Sequence, residues 1–136
     1  MKDLRYIFSH WKKATERYRE SHSKNRIGFP EPLQKDIIIQ YFDSSLVKDS
    51  GVYDFLGNVE LKSSTTYSGC TPFSKNQIAC SRILYMEIDA NRDEIRIYEL
   101  ALSDVKKINN NNLNNNFNQS IGIYKVNAST PVILNM

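Results

Sequence analysis

Over the first twenty residues apolar side chains recur at helical spacing: Leu4, Ile7, Phe8, Trp11, Ala14 with its neighbour Thr15, and Tyr18. The spacing predicts an amphipathic helix whose apolar stripe carries large aromatics and whose opposite face is basic. Loop residues follow, and Pro32 is placed to open a second helix running through Leu33, Ile37, Ile38 and Tyr41. From Leu46 onward the period changes. Gly51-Val52-Tyr53-Asp54-Phe55 and Val59-Glu60-Leu61-Lys62 read as two strands of a hairpin around Leu56-Gly57-Asn58. A second hairpin is predicted from Ile83–Ile88 and Glu94–Leu100, joined by the polar tract from Asp89 to Asp93.

Between the hairpins, Lys75–Cys80 reads as a short helix. Ser103–Ile108 reads as another, with Ser103 as its N-cap and Asp104 at the positive end of its dipole. The asparagine-rich tract at 109–118 has the composition of a surface loop, and Ile121–Val126 and Val132–Leu134 are candidate terminal strands. No internal repeat is present.

Composition narrows the class. A length of 136 residues, 40% hydrophobic and 24% charged, suits one globular domain spanning 1–136. No run approaches the length of apolar sequence that a membrane helix needs, and the charged N-terminal segment lacks the continuous apolar centre of a signal peptide. Cys70 and Cys80 have neither zinc-ligand spacing nor a histidine cluster beside them, so they are expected to be reduced thiols in a cytoplasmic protein. His10 and His22 likewise have no partner spacing for a metal.

The net charge of +3 says little alone, but its distribution is uneven. Residues 1–26 form a basic helix and loop with eight Lys and Arg against three acids, an excess of five, which leaves the remainder slightly acidic. Such a face can be merely solvated or can meet phosphates, and the aromatic stripe beneath it is assigned to core packing.

The chemistry concentrates in the first hairpin. With Phe55 facing Val59, Asp54 is expected directly across from Glu60, and alternation puts Lys62 on the face of Glu60. Directly opposed side chains have Cβ atoms about 4.5–5.5 Å apart, and two carboxylates so placed need an offsetting cation. Magnesium prefers oxygen ligands and keeps several waters, so the expected ligand set is Asp54, Glu60 and the Leu61 carbonyl, completed by a substrate phosphate. A metal-activated water would then hydrolyse a phosphodiester, with Lys62 either holding the water or stabilising the transition-state charge. The alternative is a surface hairpin with solvated charges. It is disfavoured because acids are depleted in strands.

Asp54, the short hairpin and Glu60-Leu61-Lys62 resemble the PD-(D/E)XK nuclease superfamily, although Tyr53 stands where the motif's proline would be. The stretch from Gly51 to Leu100, with Val59-Glu60-Leu61-Lys62-Ser63-Ser64, Asn76-Gln77 and Glu94–Leu100, is similar to small type II restriction endonucleases of the Bsp-six-I group. That resemblance implies an α/β (α+β) fold with a central mixed sheet flanked by helices. It also implies a homodimer cutting double-stranded DNA at a short palindrome, with a cognate DNA methyltransferase in the same system. It further suggests Glu31, near the start of the second helix, as an auxiliary metal-site residue, and Gln77 as a neighbour of the active site.

Candidate DNA contacts are Ser63, Ser64, Thr65, Thr66, Lys75, Asn76 and Arg82, which can donate to phosphates or base edges and can equally be polar loop or surface residues. Two other readings use the same residues. A junction-resolving or repair nuclease would recognise branched DNA, and a non-catalytic DNA-binding module would bind in a salt-sensitive way without metal-dependent products.

Overall fold

A computed structural model describes residues 2–22, 27–65, 70–73, 79–110, 119–122 and 126–136. Helices α1 (Leu4–Ser21) and α2 (Glu31–Tyr41) come first, then strands β1 (Val59–Ser64), β2 (Cys70–Phe73), β3 (Arg82–Asp89) and β4 (Glu94–Leu100). Helix α3 (Leu102–Asn110) and strands β5 (Gln119–Gly122) and β6 (Val132–Asn135) complete the order. The main sheet has strand order β1-β3-β4-β6, and β2 pairs with β5 in a separate two-stranded sheet. β1 runs parallel to β3, whereas β3–β4 and β4–β6 are antiparallel. The architecture is thus an α+β fold built on a mixed sheet.

Strand alternation divides the main sheet into two faces. On one, Leu61 of β1, Leu84, Met86 and Ile88 of β3, and Ile95 and Ile97 of β4 pack with Leu4, Phe8 and Trp11 of α1 and Ile37 and Ile38 of α2. On the other, Ile83, Tyr85 and Leu100 pack with Val105 of α3, Cys80 and Val126. Helices therefore cover both sides of the sheet.

The first helix buries Leu4, Phe8, Trp11 and Thr15 of the stripe expected from its spacing, while Ile7 is half-buried and Ala14 exposed. Trp11 meets Phe29 edge-on at 5.4 Å between ring centroids, and its Nε1–H donates to the Ile27 carbonyl at 2.7 Å. Tyr18, assigned with that stripe to core packing, instead lies on the surface stacked on His22. The β3–β4 hairpin also falls where alternation placed it. Its turn is held by Asp89, whose Oδ1 accepts from the backbone N–H groups of Asn91 and Arg92, each at 3.0 Å.

Three local expectations are corrected. Residues 51–54 form bends and no strand. The expected hairpin reduces to one bridging pair, Phe55 with Val59, whose turn places Gly57 and Asn58 at φ of 84° and 61°. The cause is local: Asp49 Oδ1 accepts from the Gly51 N–H at 3.3 Å, and the Asp49 N–H donates to the Asp54 carbonyl at 3.0 Å, curling this segment into a closed loop. Helix α3 starts one residue earlier than expected, because the Ala101 carbonyl takes the N–H groups of Asp104 and Val105, so Ser103 lies inside the helix and does not cap it. Residues 109 and 110, assigned to the asparagine loop, continue α3. The rest of that tract from 111 to 118 lies outside the described residues, as do residues 75–78 of the short helix expected before β3.

Candidate active site

β1 is an edge strand. Its neighbour is β3, and its other edge faces the loop before it. On that free edge the Leu61 N–H donates to Asp54 Oδ2 at 2.8 Å, which brings the loop carboxylate to the strand without a second strand to carry it. A strand residue turns its N–H and C=O to the same edge, so the Leu61 carbonyl lies on the Asp54 side as well. Glu60 and Lys62 flank Leu61 and point to the sheet's other face, while Val59 and Leu61 anchor β1 in the apolar layer beneath α1 and α2.

Asp54, Glu60, Leu61 and Lys62 line one cleft of about 340 Å³ together with Glu31 and Lys35 of α2 and the loop 49–53. The register differs from a simple hairpin, because Asp54 has no ladder partner opposite Glu60. Proximity survives nonetheless: the two carboxyl groups are close enough to share a hydrogen bond. Asp54 Oδ1 also lies 3.3 Å from Lys35 Nζ, with both side chains largely buried. Lys35 went unrecognised in the sequence. Its only signal was a position four residues after Glu31, on the same helix face.

Glu60 is the electrostatic centre of the cleft. It is 4% exposed, and its Oε2 has no hydrogen-bond partner among the described residues. Burial, reinforced by the Asp54 carboxylate, pushes its pKa up to about 8. Burial acts on Lys62 in the opposite sense, lowering its pKa, while the charges of Glu60 and Asp54 oppose the shift. The buried Cys80 thiol is pushed up to about 11, first by burial and then by Glu60. A carboxylate with an unpartnered oxygen is costly in such a place unless something binds it.

The donors fit a hard cation: two carboxylates and a backbone carbonyl, all oxygen. Among the described residues no group of three or more His, Cys, Asp or Glu side chains is arranged to hold a metal. An ion here would therefore draw on two acids, a carbonyl and water, as magnesium sites commonly do.

Of the other candidates, Glu31 opens α2 and lines the cleft. Ser63 and Ser64 end β1 and Thr65 follows it, all half-buried. Arg82, a candidate DNA contact, is engaged within the protein. Its guanidinium is taken by Glu99, at 2.7 and 3.2 Å, and by Asp43, at 2.9 Å, which ties β3 to β4 and to the turn after α2. Alternation also puts it on the face opposite Glu60 and Lys62. Thr66, Lys75, Asn76 and Gln77 lie outside the described residues.

A mixed sheet with helices on both faces and an acid–acid–lysine cleft at its edge is an arrangement suited to phosphodiester chemistry. The profile of the Bsp6I restriction endonuclease family matches residues 1–131, and the chain belongs to that family. It is accordingly a type II restriction endonuclease, a hydrolase that acts on DNA. The chain matches no curated protein and no solved structure. No described helix is long and apolar enough to cross a membrane.

Proposed function

We propose that this restriction endonuclease is a magnesium-dependent enzyme of PD-(D/E)XK type that cuts both strands of double-stranded DNA within a short palindrome. The observation that carries the reading is Glu60 Oε2, buried and unpartnered among the described residues, beside Asp54 and in one cleft with Lys62. Asp54, Glu60 and the Leu61 carbonyl would hold the ion. When bound, magnesium supplies a water of lowered pKa and offsets the negative charge of the scissile phosphate.

The chain's own groups do the rest. The Leu61 N–H fixes one oxygen of Asp54, so this carboxylate is oriented before substrate arrives. Lys62 projects from the same strand face as Glu60 and would orient the attacking water or take up charge on the phosphoryl oxygens. The lowering of its pKa by burial brings it nearer to the range in which a proton can be exchanged. Glu31, at the rim, is the auxiliary acid in this reading. Ser63, Ser64 and Thr65 stand just past Lys62, where hydroxyls can meet the backbone of the bound strand.

Cutting both strands of a palindrome calls for two such sites related by a two-fold axis, hence a homodimer. The activity also calls for a DNA methyltransferase that protects the host's own sites, in the same cytoplasm. The test is to incubate the protein with mixed DNA in magnesium or in EDTA and to sequence the fragment ends. Discrete ends sharing one palindrome, absent in EDTA, are expected; random nicks or metal-independent products would contradict the reading.

A further inference from the structure

Resting on the metal site just proposed, we infer a further role: Lys35 is a resident counter-ion that holds Asp54 until a divalent cation arrives and is then passed to a phosphate of the DNA. Both oxygens of Asp54 are engaged as the protein stands, Oδ2 by the Leu61 N–H at 2.8 Å and Oδ1 by Lys35 Nζ at 3.3 Å. The second engagement competes with a metal. An ammonium beside the site repels a dication and occupies an oxygen that the dication needs. The acids lining the cleft, Glu31, Asp49, Asp54 and Glu60, outnumber the two lysines, Lys35 and Lys62, by two.

Displacement leaves Lys35 in need of another anion. Its side chain is 19% exposed, and a mostly buried ammonium without a partner is costly. Helix α2 cannot follow it, because Ile37 and Ile38 are fully buried in the core, so only the lysine's flexible stem swings. Lys35 also lines the adjoining cleft of about 530 Å³, with Glu31, Pro32, Lys48, Asp49 and Ser50. A strand lying across β1 would present its next phosphate at this junction. The metal and the DNA thus relieve each other's cost through one side chain.

The experiment is a calorimetric titration of Mg²⁺ alone, without DNA, into wild type, Lys35→Met, Lys35→Arg and Asp54→Asn, paired with single-turnover cleavage by the same proteins. Lys35→Met keeps the packing stem, and Lys35→Gln replaces it if melting curves show that it fails to fold. Lys35→Met is expected to bind Mg²⁺ roughly three- to tenfold more tightly and yet to cleave about tenfold or more slowly. Lys35→Arg, which keeps the charge, should stay near wild type in both. A mere tie between α2 and the loop would not tighten metal binding. Unchanged or weaker Mg²⁺ binding by Lys35→Met, with binding lost in Asp54→Asn, would overturn the role of Lys35 alone. Equal binding by wild type and Asp54→Asn would overturn the metal site and this inference with it.

Discussion

The two faces of the main sheet are built to different rules. Beneath α1 and α2 the strands present Leu61, Leu84, Met86, Ile88, Ile95 and Ile97, a continuous apolar layer locked by an aromatic cluster of Phe8, Trp11 and Phe29. Among the described residues the opposite face carries an apolar group around Tyr85 and Val105, and beside it β1 sets Glu60 and Lys62. The apolar face holds the strands in place, and the polar face keeps a buried carboxyl group with an unpartnered oxygen among the described residues. Strand β1 joins the two regimes: its odd residues anchor it and its even residues hold the charges.

The sharpest way to break the comparison is to neutralise the polar face. Asp54→Asn and Glu60→Gln should each lower cleavage on the order of 10³-fold while leaving circular dichroism unchanged. Lys62→Ala should cost on the order of 10²- to 10³-fold. A fall in folded protein in place of a fall in rate would mean that these charges serve the fold.

On the apolar face the outcome should invert. Ile97→Ala removes a fully buried side chain and should cost about 2–5 kcal/mol in urea unfolding, with cleavage per folded molecule retained. Equal loss of activity and stability would show that the faces are not independent.

A pH series sharpens the contrast further. In the metal-free protein Glu60 has a folded-state pKa raised to about 8, above its unfolded value, so the native state binds the extra proton. Its contribution to stability is full below the ordinary carboxylate range and is lost as pH rises to about 8. Melting temperatures in EDTA should therefore decline across that window in wild type, and the decline should flatten in Glu60→Gln.

The smallest effect is expected at Arg82. Its pairs with Glu99 and Asp43 are partly exposed, so Arg82→Ala should cost roughly 1 kcal/mol or less, and cleavage should keep both its rate and its fragment ends. Altered ends would return Arg82 to the DNA surface.

Much of this was legible in the chain because it rests on local periodicity. The aromatic stripe of α1, the Pro32 start of α2, the β3–β4 hairpin and the Glu60-Leu61-Lys62 alternation each follow from neighbours a few residues apart. What escaped is long-range. Alternation is the same whether a strand has parallel or antiparallel neighbours, so nothing in Val59–Ser64 announced that β3 would lie parallel to it. The path of Asp54 was misjudged because the Asp49–Gly51 turn overrode the β-prone Val52 and Tyr53. Lys35 looked like any solvated helix lysine until the loop folded back and set Asp54 against it. The strand expected from Ile121 shows in β5, which begins two residues earlier at Gln119, but its partner Cys70–Phe73, forty-six residues upstream in a polar stretch, gave no signal of the pairing.

The most direct test is a crystal structure of the protein with Mn²⁺ in place of magnesium, read by anomalous scattering. A peak bonded to Asp54, Glu60 and the Leu61 carbonyl, with Lys35 swung off Asp54, is the predicted result. A well-ordered cleft that stays without a peak at saturating Mn²⁺, with Lys35 still on Asp54 and the metal bound elsewhere, would contradict it.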